Sequence, residues 1–277
     1  MRAGFLIKLR AFRKILRLDV TVLGIDVGGS GIKGAPVDVD SGFLLGERYR
    51  IPTPKPASPE LVAAVVGQIS KRFDWTGPVG IAFPARIKQG RALTASNIDP
   101  AWIGTDAATL FEEATGCSCL VLNDADAAGV AEMQFGAGKG RRDLVVVLTF
   151  GTGIGTALFI NQTLVPNTEL GHIYLPDAGP AEPFATDRAR KEEDLSWEEW
   201  AKRVQTYLDR VEFLFAPDLM ILGGGVSKAK KTERFFHLLR TEAELVPAKL
   251  ENEAGIIGAA FSAHAALAAA STSYTPS

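Results

Sequence analysis

Two stretches of this chain share one design, and that pairing narrows the folds open to it. Val20-Thr-Val-Leu-Gly-Ile-Asp26 is an apolar run ending in an acid, and it opens into Val27-Gly-Gly-Ser-Gly-Ile-Lys33. Leu144-Val-Val-Val-Leu-Thr149 repeats the run in the second half of the chain and opens into Phe150-Gly-Thr-Gly-Ile-Gly155. A second apolar run follows each turn, Gly34 to Val39 in the first case and Thr156 to Ile160 in the other. Nearly continuous β-branched runs around glycine-rich turns predict strand–turn–strand hairpins. Their recurrence predicts two similar lobes facing each other.

Helical patterns alternate with further strands. Ser58-Pro-Glu-Leu starts one helix, with Ser58 as N-cap, Pro59 at the first position, and Leu61, Val65 and Ile69 on the buried face. Trp102 to Thr115, Asp126 to Phe135 and Ser196 to Phe215 supply others, while Pro78 to Phe83, Leu120 to Leu122 and Asp218 to Leu222 read as strands. Alternation of this kind predicts an α/β fold. The lobes are expected at 20–125 and 126–262, with a C-terminal helix and tail at 263–277 packing back on the first. Asp177 to Asp194, rich in Pro, Ala and charge, reads as a surface excursion.

The net charge of −2 gives no general attraction to nucleic acid or anionic membrane, so anion binding must come from local arrangement. Residues 1–19 form a basic extension with apolar residues at helical spacing. No run approaches the roughly 20 apolar residues that span a bilayer. Cys117 and Cys119 cannot readily bridge across one residue of an extended strand, and two ligands make no zinc site. Free thiols suit a reducing cytoplasm.

The first turn has the parts of a phosphate cradle. Gly28 and Gly29 let backbone amides approach phosphate oxygens, Ser30 adds a hydroxyl and Lys33 a cation. Asp26, closing the strand, could hold hydrated Mg²⁺ between phosphates. The spacing is neither a Walker A loop nor a Rossmann fingerprint. Gly151, Thr152 and Gly153 form a second such turn. Ile221-Leu-Gly-Gly-Gly-Val-Ser227 is a third strand-to-glycine junction, where Gly224 and Gly225 could lie under a base or a phosphate chain.

Val121-Leu-Asn-Asp-Ala-Asp126 places acids where a strand ends and a helix begins, the edge at which α/β proteins hold ligands. Either Asp124 or Asp126 could cap that helix. Phosphoryl transfer needs a carboxylate to accept the attacking hydroxyl's proton, and Asp124 is the preferred candidate. Asn97 sits in the loop Ser96-Asn-Ile-Asp99. In Glu169-Leu-Gly-His172, Glu169 and His172 can face one ligand and pair with vicinal hydroxyls.

In this order these motifs resemble the ROK family (repressors, open-reading-frame proteins and kinases). Pro52-Thr-Pro-Lys-Pro-Ala-Ser-Pro59, Ile98-Asp-Pro-Ala-Trp-Ile-Gly-Thr-Asp106 and Val165-Pro-Asn-Thr-Glu-Leu-Gly-His172 look like its polyphosphate glucokinases. The resemblance implies a two-lobed actin/hexokinase-like (ribonuclease H-like) fold with the active site in the interlobe cleft. It also implies a homodimer that phosphorylates the 6-hydroxyl of glucose with polyphosphate or ATP and Mg²⁺. By matching positions, Asp124 would be the general base, and Asn97, Asn123, Glu169 and His172 would hold the sugar. The family's cysteine-rich zinc motif is missing after His172, so no structural zinc is expected. The glutamate that follows that motif has only Glu182 as a candidate counterpart, and Ala85 in Phe83-Pro-Ala-Arg86 stands where relatives tend to have Gly.

Polyphosphate offers charge but no base to recognise, so a protein using it should supply a track of cations. Lys139, Arg141 and Arg142 precede the second turn, and Lys228, Lys230 and Lys231 follow the triple glycine. ATP would need only the first part of such a track. The alternatives are an ATP-dependent hexose kinase and a sugar-sensing regulator. The regulator is disfavoured because only 19 residues precede the first strand, too few for a helix-turn-helix domain.

Overall fold

The computed structural model describes residues 20–96 and 98–273. The chain folds as two compact units, one running to Leu122 and resuming at Ala259, the other Asn123–Gly258. The basic extension at 1–19 and Asn97 lie outside the described residues.

The sheet of the first unit contains β1 (Thr21–Gly28), β2 (Gly31–Asp38), β3 (Phe43–Leu44), β4 (Tyr49–Ile51), β5 (Val79–Phe83) and β6 (Cys119–Asn123). Their order is β3-β2-β1-β5-β6, with β4 also against β2. The sheet of the second unit contains β7 (Val145–Phe150), β8 (Ile154–Ile160), β9 (Thr163–Val165), β10 (Leu219–Gly224) and β11 (Glu244–Pro247), in the order β9-β8-β7-β10-β11. The two orders are the same pattern. Each unit has an antiparallel hairpin, β1–β2 or β7–β8, whose first strand pairs in parallel with a later strand, β5 or β10. The duplicated hairpins of the sequence are thus the centres of duplicated sheets.

Their apolar runs are continuous because these strands are covered on both faces. Along β7, Val146, Leu148 and Phe150 join one core cluster, and Val145 and Val147 join another on the opposite face. All five residues of β5 are buried.

Helix α1 (Pro59–Arg72) starts where Ser58 accepts the Leu61 N–H, with Pro59 in the first turn. Val62, Val65, Val66 and Ile69 form its buried stripe. Leu61 is 44% exposed, not on the core face expected for it. Trp102 to Thr115 is not one helix: a 3₁₀ turn at Pro100–Trp102 is followed by α2 (Ala107–Thr115), capped by Asp106 and ended by Gly116 at φ +70°. The break leaves Trp102 free to pack into the core, 4.4 Å from Phe83 and 5.7 Å from Phe111 between ring centres. In the second unit α3 (Asp124–Phe135) follows β6 directly, and α4 (Trp197–Phe215) begins with a Ser196/Glu199 capping box.

Asp177 to Asp194 is more than a surface excursion. It holds two short helices, Ala181–Ala185 and Asp187–Glu192, with Ala181, Ala185, Thr186, Asp187 and Ala189 buried. Arg190 and Lys191 neutralise the buried Asp187 at 3.0 and 2.6 Å, which explains the charge density of that stretch. Cys117 and Cys119 are free thiols, and burial pushes the Cys119 thiol up to about 11.

Helix α5 (Ala254–Ser273) is alanine-rich. By length and composition alone, Glu251–Ser271 is apolar enough to cross a bilayer, which the alanines hid from a search for long aliphatic runs. Its first half, including Ile256, Ile257 and Ala260, is buried in the fold.

Trp200 ties much of the second core together. Its ring packs edge-on to Phe150 and Phe235, and its Nε1 donates to the carbonyls of Ala185 and Thr186 at 3.0 and 3.1 Å. Trp200→Ala is expected to cost about 3–5 kcal/mol, read as a lower midpoint in chemical denaturation. Trp200→Phe should cost less while still leaving both carbonyls without their donor.

Candidate active site

In the first unit, β1 and β2 meet in a tight turn with Gly28 paired to Gly31. Asp26 and Lys33 face each other across the hairpin, with Lys33 Nζ donating to Asp26 Oδ2 at 3.2 Å. The charges named for metal and phosphate are therefore paired with each other. The Thr53 hydroxyl donates to the Gly28 carbonyl, and Arg50 Nη2 donates to the Ser30 carbonyl at 2.6 Å. A cavity of about 310 Å³ opens beside the turn. Its walls include Gly28, Gly29, Thr53, Lys55, Ser96 and Asp99, so it joins the glycine turn to the loop that contains Asn97.

The second unit assembles most of the other candidates. Asn123 ends β6 and caps α3, its Oδ1 accepting the N–H groups of Ala125 and Asp126 at 2.9 and 3.1 Å. The cap is thus Asn123, so neither aspartate is needed for that role. Asp124 is half-buried, its Oδ1 2.8 Å from the Ala125 N–H. Gly155 makes room for this helix start: a Cβ there would lie 2.8 Å from that of Ala125. The absence of a side chain at 155 therefore lets the second hairpin lie against the residue that follows Asp124.

Asp126 links the same helix to the segment carrying Glu169 and His172. It is 1% exposed; Oδ2 accepts the Asn167 N–H at 2.8 Å, and Oδ1 is buried with no hydrogen-bond partner among the described residues. Burial, reinforced by the nearby charge of Glu169 and opposed by the Asn167 bond, pushes its carboxyl up to about 7. The segment is also pinned to β8, where Thr156 donates to the Thr168 carbonyl and Thr168 to the Thr156 carbonyl, at 2.7 and 3.1 Å. Beyond these ties, Glu169 Oε2 lies 3.3 Å from His172 Nδ1, and both side chains remain partly exposed.

In the second hairpin the Gly151 N–H donates to the Gly153 carbonyl at 3.0 Å, and Thr152 is exposed. Glu182 closes over this turn, its Oε2 accepting the Ile154 N–H at 3.2 Å. Gly224 pairs with Phe150 at φ +81°, and the Gly225 N–H donates to the Phe150 carbonyl, so the third glycine junction braces the second hairpin.

The basic runs are not uniform. Arg141 is held by Asp143 and Glu244, with its charge already compensated. Lys231 Nζ donates to the Gly225 carbonyl at 2.7 Å, whereas Lys139, Arg142, Lys228 and Lys230 are exposed. Sequence reasoning missed the tie through Asp126 and the two donors, Arg50 and Thr53, on the first turn. Thr53 stands in a motif that the resemblance had marked, whereas nothing local marks Arg50.

The model of the ROK family matches residues 22–183. The polyphosphate glucokinase of Mycobacterium tuberculosis is 47% identical over 238 residues, covering 86% of this chain and 89% of that protein. The crystal structure of inorganic polyphosphate/ATP-glucomannokinase from Arthrobacter sp. strain KM superposes with a TM-score of 0.85 at 45% identity, covering 90% of this chain and 99% of the other. A ROK family glucokinase from Streptomyces griseus, solved with glucose and AMPPNP, superposes with a TM-score of 0.72 at 27% identity, covering 88% and 99%. The duplicated α/β sheets are therefore those of the two-lobed hexokinase-type sugar kinases, and the chain belongs to the ROK family.

Proposed function

We propose that the protein is a kinase that phosphorylates the 6-hydroxyl of glucose, with inorganic polyphosphate as donor and ATP as a second donor. The observation that carries this reading is the construction around α3. One helix start presents Asp124, rests against a glycine hairpin through Gly155, and is tied through Asp126 to the Glu169–His172 pair. The polyphosphate glucokinase and polyphosphate/ATP-glucomannokinase relatives support the donor.

In this reading Asp124 accepts the proton of the 6-hydroxyl as its oxygen attacks the terminal phosphorus. Asn123, Glu169 and His172, with Asn97, hold the sugar and exclude the wrong hydroxyls. The turns at Gly28–Ser30 and Gly151–Gly153 give the donor backbone amides. Mg²⁺ characteristically takes one or two carboxylates beside substrate phosphates, and the Asp26 carboxylate on β1 would take that role with one oxygen while the other keeps its pairing with Lys33. Bound there, the ion would offset donor charge. Exposed Lys228 and Lys230 would continue the path of the chain.

Purified protein with glucose, Mg²⁺ and polyphosphate should yield glucose 6-phosphate; no product with either donor would refute the reading. Asp124→Asn should lower kcat by about 10²–10⁴-fold, with little change in glucose KM. Neutralising Lys228 and Lys230 together should raise KM for polyphosphate more than KM for ATP, and equal effects would remove the track.

Asp126 also makes a pH prediction. Between about pH 4 and about pH 7 the folded protein keeps a proton that the unfolded chain has released, so Asp126 makes stability fall as pH rises through that window. Asp126→Asn should flatten this slope, measured as Tm across the same range, and an unchanged slope would refute the assignment.

A further inference from the structure

The first hairpin contains a cation that its sequence motif does not include. Arg50 lies on β4, in register with Lys33 of β2. Its guanidinium reaches along the turn, where Nη2 donates to the Ser30 carbonyl at 2.6 Å. It rests over Gly31: a Cβ at that position would come within 2.5 Å of Nε and 2.6 Å of Cζ. Any side chain at 31 would displace it.

The surrounding charges give this placement its meaning. A phosphate-binding turn must present amides, yet its carbonyl oxygens repel the same anion. Here two of those carbonyls are taken, Ser30 by Arg50 and Gly28 by the Thr53 hydroxyl. Lys33, the cation inside the motif, is paired with Asp26 at 3.2 Å. Arg50 is exposed, and among the described residues no carboxylate forms an ion pair with it. Its bond to a neutral carbonyl uses one of five N–H donors and leaves the charge uncompensated. A guanidinium fixed in this way is suited to two-point contact with phosphate oxygens, which an ammonium cannot reproduce.

We propose that Arg50 is a donor-binding residue, holding phosphate oxygens of the phosphoryl donor at the first hairpin while its bond to Ser30 sets the guanidinium in place. The proposal rests on the reading above that the protein takes a phosphate-chain donor. It moves the principal cation of that turn from the motif to a neighbouring strand.

Isothermal titration with inorganic tripolyphosphate, in the absence of glucose, tests it on the wild-type protein, Arg50→Gln, Arg50→Lys and Gly31→Ala. Gly31→Ala displaces the guanidinium without removing its charge. All three variants should bind tripolyphosphate about tenfold or more weakly, while glucose, titrated separately, binds within about twofold of wild type. Wild-type affinity for tripolyphosphate in Arg50→Gln overturns the proposal and leaves the kinase reading intact. Loss of tripolyphosphate and glucose binding together also overturns it, since the side chain then only holds the turn. A wild-type protein that fails to bind tripolyphosphate overturns both the proposal and the polyphosphate reading.

Discussion

The second unit depends on Phe150. Its side chain is buried edge-on between Trp200 and Tyr207, both ring centres 6.0 Å away, so the end of β7 cannot shift without opening the core. Its backbone meets both neighbours at the same place. It pairs with Ile154 across the hairpin and with Gly224 of β10, and its carbonyl takes the Gly225 N–H. A flexible glycine turn thus begins one residue after a fixed point. That is how a segment rich in permissive backbone is held in one conformation despite its entropic cost.

Polar ties then place the side chains. Asp126, the Thr156–Thr168 pair and Glu182 are not among the groups proposed to touch substrate, yet each holds a segment that is. Asp126 is the most demanding, because one of its oxygens is buried near the charge of Glu169 with no hydrogen-bond partner among the described residues. Its other oxygen accepts the Asn167 N–H and so ties α3 to the proposed sugar-holding loop. The first unit solves the same problem with one neutral donor, Thr53, and one arginine, both acting on the carbonyls of a single turn.

Much of the fold was legible locally. The caps at Ser58 and Ser196 are short-range hydrogen bonds written in adjacent residues, and the continuous apolar runs announced strands buried on both faces. The misreadings arose where tertiary packing overrode periodicity. Leu61 fits a helical stripe as well as Val62 does, and only the direction of the sheet decides which of them is covered. Trp102 looks helical by spacing, but its burial against Phe83 draws it out of α2. The short helices at 181–192 are too brief for a periodic signal, and their buried Asp187 is neutralised by partners in the same stretch. At the site, Asn123, Asp124, Glu169 and His172 could be named because they stand in compact motifs. Arg50 could not, since it reaches Ser30 only by way of a neighbouring strand.

By itself the sequence determined the repeated hairpins, the α/β class and the compact motifs that carry most of the proposed site residues, because each of these is encoded within a few adjacent positions. Tertiary structure decided which charges stay available. Lys33 and Arg141 are compensated by carboxylates, Lys231 is turned onto a carbonyl, and Arg50 is brought to the glycine turn uncompensated. Whether a side chain is free for a ligand depends on what the fold places within about 4 Å of it, and for Arg141 and Arg50 the deciding neighbours, Glu244 and Ser30, come from other segments of the chain.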